Sequence, residues 1–141
     1  MPDTIFSKLI RGEIPCHRVY ENEHVLAFLD VNPISPGHTL LIPKEPAVTF
    51  ADLSPDAAAA LGRALPALCR AVQEATGCAG YNLLQNNGPV AGQLVMHAHI
   101  HIIPRTQGDH LDMPWPAKAL ALGPELAATI RAALNRLNQA K

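Results

Sequence analysis

Three histidines alternate along one short apolar run, Met96-His97-Ala98-His99-Ile100-His101-Ile102-Ile103-Pro104-Arg105. Successive side chains of an extended strand face opposite sides, so His97, His99 and His101 would share a face at ~7 Å spacing. The β-branched residues predict a strand, and Pro104 predicts its end. Three readings of this row follow. It can be chance, at the cost of placing three polar groups on one face of an apolar strand. It can be a metal site. Two imidazoles at i and i+2 can share a zinc, with His38, Asp30 or Asp109 as a third ligand, but the outer two of the three stand ~13 Å apart. It can be a nucleophilic site. A neutral imidazole attacks phosphorus with one ring nitrogen while the other donates a hydrogen bond that fixes the tautomer. Flanking imidazoles oppose protonation of the central ring, which makes His99 the natural attacker.

The elements that must position these rings can be read around them. Residues 4–10 form a short amphipathic turn or helix closed near Gly12. Residues 17–22 and 24–30 alternate as a hairpin around Glu21–Glu23, and 38–43 form a third strand after a loop containing Asn32-Pro33 and Pro36-Gly37. Ser54-Pro55 starts a helix with Ser as cap and Pro in the first turn. It runs to about Thr76, ends at Gly77, and should kink at Pro66. A fourth strand covers 80–86, and Asn86–Gly92 is a loop leading into the histidines. Gly123-Pro124 opens a last helix with Leu126, Ile130, Ala133 and Leu137 on one stripe. Strands, a helix and more strands joined by short loops predict an α+β domain with an antiparallel sheet.

The chain has 141 residues, 48% of them hydrophobic and 16% charged, which predicts one folded domain over 1–141, with a core of about 4–105 and an extension from 106. A formal net charge of −1 without a basic cluster argues against duplex nucleic acid as a partner. Three cysteines (Cys16, Cys69, Cys78) without a Cys-x-x-Cys spacing suit reduced thiols in a cytoplasmic protein. No apolar run is long enough to span a membrane, and no leader segment is evident at Met1–Thr4.

His97-Ala98-His99-Ile100-His101-Ile102-Ile103 resembles the signature of the histidine triad (HIT) family, three histidines alternating with apolar residues. The resemblance extends in order through Thr4-Ile5-Phe6, Gly12–Pro15, Ala27–Asp30, Pro36–Lys44, Gly80–Asn82 and Asn86–Gln93. It is nearest to the bacterial nucleoside-phosphoramidase branch. The resemblance implies a five-stranded antiparallel sheet with a long helix and a C-terminal helix, the sheet being extended across a homodimer. It implies a purine nucleotide hydrolase that attacks the α-phosphorus through a nucleotidyl-histidine intermediate. The expected substrate is an adenosine 5′-phosphoramidate, with AMP released and no cofactor or metal. The alternatives are a dinucleoside polyphosphate hydrolase, a nucleotidyltransferase, or a weakly active nucleotide-binding regulatory dimer.

By the same resemblance His99 is the nucleophile, His97 orients it in part through its backbone carbonyl, His101 donates to the α-phosphate, and His38 supports the cluster. Asp30 would accept the ribose hydroxyls, or it could instead cap the Asn32-Pro33 turn. Ile5, Phe6, Leu9, Phe28 and Val31 would line the base pocket, and Asn86, Gly92 and Gln93 would meet phosphate. Apolar side chains suit a purine face, and a glycine-containing loop suits a phosphate. Three departures stand out. Zinc-binding relatives carry Cys-x-x-Cys and a later histidine where this chain has Thr4, Ser7 and Pro46, so that site is absent. Phosphoramidase relatives carry, after the glutamine, a serine that helps protonate the leaving amine; here it is Leu94. Met113-Pro114-Trp115-Pro116 is similar to the relatives' Trp-Pro ending, which reaches the partner's site.

Overall fold

A computed structural model describes residues 1–112 and 116–139. Met113–Trp115, on which the Trp-Pro expectation falls, lie outside the described residues. The chain forms two compact units, Met1–Leu111 and Asp112–Lys141. The first holds a five-stranded antiparallel sheet of β1 (Arg18–Glu21), β2 (Val25–Leu29), β3 (Thr39–Pro43), β4 (Gly80–Leu84) and β5 (Ile100–Arg105), in the order β1-β2-β3-β5-β4.

The central strands are buried on both faces because their two alternating sets of side chains meet different partners. Val25, Ala27, Leu41, Ile100 and Ile102 pack on the long helix α2 (Pro55–Thr76) through its Ala60, Leu61, Leu68, Cys69 and Val72. Leu26, Phe28, Leu40 and Ile42 point the other way, onto Phe6 and Leu9 of the short helix α1 (Ile5–Ile10). His101 lies between Ile100 and Ile102 and directly opposite Leu40, so the period of two turns it away from α2 and toward α1.

Local chemistry fixes both helices. The Ser54 hydroxyl accepts the Ala57 N–H at 3.1 Å, Pro55 sits at the first position, and Gly77 ends α2 at φ +66°. The helix is one continuous element through Pro66. At α1 the Thr4 hydroxyl accepts from the Phe6 and Ser7 N–H groups, while the Ser7 hydroxyl accepts from the Thr4 N–H. The two positions that hold cysteines in the zinc-binding pattern therefore work here as a reciprocal helix cap.

The histidine run is not one strand. β5 begins only at Ile100, so His97 and His99 lie in an irregular segment before it. The Ala98 N–H goes to the Ala47 carbonyl at 2.8 Å, and the His97 and His99 rings bond to backbone carbonyls, so this stretch spends its hydrogen bonds outside the ladder. Nor does Pro104 end the strand. It stays in register with Tyr81, and its carbonyl accepts from the Ser35 hydroxyl at 2.8 Å. β3 pairs with β5 only as far as Ile102, so the missing proline N–H falls where no neighbouring strand would have used it.

The second unit contains α3 (Gly123–Gln139), which starts where Gly123-Pro124 suggested. Its expected stripe forms, but none of its residues is buried.

Candidate active site

A cleft of about 440 Å³ opens on the α1 side of the sheet. Its walls contain Ile5, Phe6, Leu9, Phe28, Val31, Asp30, His38, His99 and His101, so nine of the sequence-selected residues come together. His97 lies behind this wall, 1% exposed, with its ring edge-on to Phe6 at 6.0 Å. A larger cavity, about 500 Å³, lies around Ser35, Thr76, Cys78 and Asp109. Asp109 is already paired with Arg105 at 2.8 Å, and no histidine lines that cavity, so the chemistry belongs to the first.

Backbone partners decide which nitrogen of each ring carries the proton. His99 Nδ1 stands 2.7 Å from its neighbour's carbonyl, His97 O; an acceptor there requires Nδ1–H, which leaves the Nε2 lone pair bare. His97 is fixed the other way, with Nε2–H donating to the Pro43 carbonyl at 2.8 Å. Its Nδ1 is buried without a partner. The Ile34 N–H donates to His38 Nδ1 at 3.1 Å, so the His38 proton sits on Nε2. That proton goes to His101 Nδ1 at 2.9 Å. His101 must then carry its own proton on Nε2. The relay Ile34 N–H to His38 to His101 thus ends in a donor, beside the bare nitrogen of His99; the two ring centroids are 4.9 Å apart.

All four rings are held neutral. Burial lowers the pKa values of His38, His97 and His99. Burial, aided by the neighbouring His99 and His38, brings His101 down from 6.5 to about 4. Asp30 opposes this for His38, His99 and His101. Since His38 is neutral, its 3.6 Å approach to Asp30 Oδ2 is not an ion pair.

Asp30 makes the turn cap that was one of the two alternatives expected of it. Oδ1 caps the turn by accepting the Asn32 N–H at 2.8 Å, and the carboxylate also lines the cleft. Asp30, His38 and His101 offer ligand atoms within 4.8 Å of one another. His38 Nε2 and His101 Nδ1 are already joined to each other at 2.9 Å, so a cation held by either of those two nitrogens would have to break the relay.

Asn86, Gly92 and Gln93 are not in the cleft wall. Asn86 reaches the Gly92 carbonyl at 3.4 Å, and a side chain at Gly92 would press on the Asn86 amide. Gln93 is 2% exposed, and its amide is spent internally: its oxygen accepts the Gly88 N–H at 2.7 Å, and its nitrogen donates to the Val48 and Val95 carbonyls at 2.6 and 3.0 Å. These residues shape the loop that ends at the mouth of the cleft. Sequence reasoning missed Ile14, Pro15, Cys16, Leu29, Asn32, Ile34, Leu40 and Val95, which also line it; Leu94, singled out only as a departure from the relatives' serine, lies on its rim, 91% exposed. Closeness to Gln93 was the one available signal for Val95.

The HIT domain family model matches residues 11–108. An Arabidopsis thaliana protein named adenylylsulfatase HINT3 is 45% identical over 118 residues, which are 84% of this chain but only 58% of that protein. The Schizosaccharomyces pombe adenosine 5′-monophosphoramidase hnt1 is 42% identical over 134 residues, covering 90% of this chain and 98% of the relative. The crystal structure of a HIT family protein from Bacillus anthracis superposes with a TM-score of 0.86 at 38% identity, covering 92% of this chain and 95% of the other.

Proposed function

The chain belongs to the HIT family, and on that premise we propose that it hydrolyses conjugates of a purine nucleoside monophosphate by covalent catalysis at His99. One observation carries this reading: a neutral imidazole faces the cleft with Nδ1–H anchored at 2.7 Å and Nε2 bare. Attack by Nε2 on the α-phosphorus forms a P–N bond and expels the leaving group with the electron pair of its bond to phosphorus. The adduct is an imidazolium, and its Nδ1–H to the His97 carbonyl becomes a charge-assisted bond. His101 Nε2–H donates to a phosphoryl oxygen, where charge builds up in the transition state. Water then attacks phosphorus, the P–N pair returns to His99, and a proton leaves to solvent.

The apolar wall of Ile5, Phe6, Leu9, Phe28 and Val31 suits a purine base, and Asp30 suits the ribose hydroxyls. Adenosine 5′-phosphoramidates are the first substrates to try, since one relative is named for that class and another for an adenylyl sulfate. The working form in this proposal is a cytoplasmic homodimer with no nucleic-acid or membrane partner. β4 supports the dimer: among the described residues no strand pairs with its outer side, an edge of the kind proteins pair or cover, and its Tyr81 and Leu83 are exposed. None of the described helices is long and apolar enough to cross a membrane. The test is AMP release from a phosphoramidate, with chelator present, by wild type and His99→Ala. A fall of at least about a thousandfold and loss of a trapped nucleotidyl adduct are expected. Equal rates refute the assignment.

A further inference from the structure

Resting on the reading just given, we propose that Ser35 is a positioning residue for this site. By tying the β2–β3 loop to β5 it holds the Ile34 N–H against His38, and so keeps the His101 proton on Nε2.

A hydrogen bond between two neutral imidazoles can be made with either ring as the donor. His38 Nε2 and His101 Nδ1 lie 2.9 Å apart, a distance that serves both arrangements. With the proton on His38 Nε2, His101 accepts at Nδ1 and offers Nε2–H. In the other arrangement His101 donates from Nδ1 and its Nε2 is bare, so the donor assigned to the phosphoryl oxygen is lost. The Ile34 N–H, 3.1 Å from His38 Nδ1, decides between them, because that nitrogen can accept it only when unprotonated. Asp30 Oδ2 favours the same arrangement, but at 3.6 Å from His38 Nε2 it is too far for a hydrogen bond.

The Ile34 N–H is held in place from outside its own loop. Pro33 and Pro36 flank this turn and have no N–H to give. The Asn32 N–H goes to Asp30 Oδ1, the His38 N–H to the Ser35 carbonyl at 3.1 Å, and the Thr39 hydroxyl to the Gly37 carbonyl at 2.8 Å. All of these are bonds the loop makes with itself. Among the described residues, the Ser35 hydroxyl makes the one hydrogen bond from residues 31–37 to a different part of the chain, the Pro104 carbonyl of β5 at 2.8 Å. β5 also carries His101, so the contacts close a circuit that begins and ends on one strand: Pro104, Ser35, Ile34, His38, His101. Without the Ser35 bond the turn carrying the Ile34 N–H can shift against β5, and the two arrangements of the His38–His101 pair approach equal weight.

The test compares wild type with Ser35→Ala, Ser35→Cys and Ser35→Thr. Cysteine keeps the size with a weaker donor, and threonine keeps the hydroxyl. Ser35 precedes Pro36, where extended backbone suits a β-branched residue, and it borders the cavity of about 500 Å³, which gives room for a methyl. Nitrogen-15 shifts of the histidine rings, at about pH 7.5 where they are neutral, separate a protonated nitrogen from a bare one. In Ser35→Ala the two nitrogens of His38 and of His101 should move toward each other as the tautomers mix. His97 and His99, anchored on carbonyls, should stay as in wild type. For an adenosine 5′-phosphoramidate kcat should fall about three- to tenfold, the bias of one hydrogen bond, with KM changed by less than about twofold. Ser35→Cys should lie between, and it gives the same comparison if Ser35→Ala does not fold. Ser35→Thr should restore both readouts. Equal shifts in all four rings, or none in His38 and His101, overturn this inference and leave a His99-dependent hydrolase standing. Moved His38 and His101 rings in a protein whose wild type turns nothing over keep the anchor and overturn the hydrolase.

Discussion

Replacing His101 by Asn should make stability less dependent on pH in one window. In the folded chain His101 stays neutral down to about 4, because it is buried beside His99 and His38, whereas unfolded it takes up a proton near 6.5. Between those values the unfolded state binds more protons. The ring's contribution is therefore complete above 6.5, shrinks as pH falls, and levels off below 4. A difference of that size corresponds to at most about 3 kcal/mol. His101 lines an open cleft and is only partly buried, so solvent screening reduces this to roughly 2 kcal/mol. Urea denaturation of wild type and His101→Asn at several pH values isolates the term, because the other titrating groups are shared and largely cancel in the difference. Wild type should lose roughly 2 kcal/mol more than the variant between about pH 7 and 4. A constant difference across that range would show that His101 is not held neutral, and the relay from Ile34 through His38 would be wrong.

Three further outcomes follow from named contacts. Asp30→Asn preserves the turn bond to the Asn32 N–H and removes the charge, so KM for a ribonucleotide conjugate should rise about tenfold while that for a 2′,3′-dideoxy conjugate hardly moves; equal changes for both argue against a ribose contact. Gln93→Leu leaves the Gly88 N–H and the Val48 and Val95 carbonyls without their present partner and should cost about 2 kcal/mol or more in chemical denaturation. A cost within about 0.5 kcal/mol would mean that the loop is not pinned there. Gly37→Ala places a methyl at φ +89° that overlaps the Thr76 side chain, so the melting temperature should drop by several degrees, from about 2 kcal/mol or more of combined strain.

The periodicities that rest on bulk burial were legible in the sequence. Val25 and Ala27 oppose Leu26 and Phe28 across the sheet because two apolar partners are available, one to each face. Ser54-Pro55 and Gly77 marked α2 to the residue, since caps and left-handed glycines are local chemistry. The pattern failed where a side chain competes with the ladder for backbone groups. A strand over 96–103 satisfies the alternation of His97, His99 and His101, and so does the irregular turn that forms, because both turn the His97 and His99 rings toward Phe6. What separates them is the Ala47 and Pro43 carbonyls, some fifty residues away in the chain. Gln93 shows a related ambiguity. A glutamine beside a glycine loop is equally suited to a phosphate and to the loop's own backbone, and three satisfied internal bonds leave its amide little capacity for a ligand.

That distinction bears on what a histidine motif specifies. The spacing selects which rings gather, but an imidazole is a nucleophile, a donor or an inert acceptor according to which nitrogen is anchored. Here every anchor is a main-chain group: the His97 carbonyl for His99, the Pro43 carbonyl for His97, and the Ile34 N–H for His38. Substitution cannot delete a carbonyl, so these assignments survive side-chain changes as long as β3 and its flanking loops keep their register. His101 is the exception. Its tautomer depends on another side chain, His38, and burial beside His99 and His38 brings its pKa down to about 4. The relay from Ile34 to His101 is therefore the part of the site most open to change by mutation. Altering His38 should change what His101 can donate while leaving the attacking nitrogen of His99 as it is.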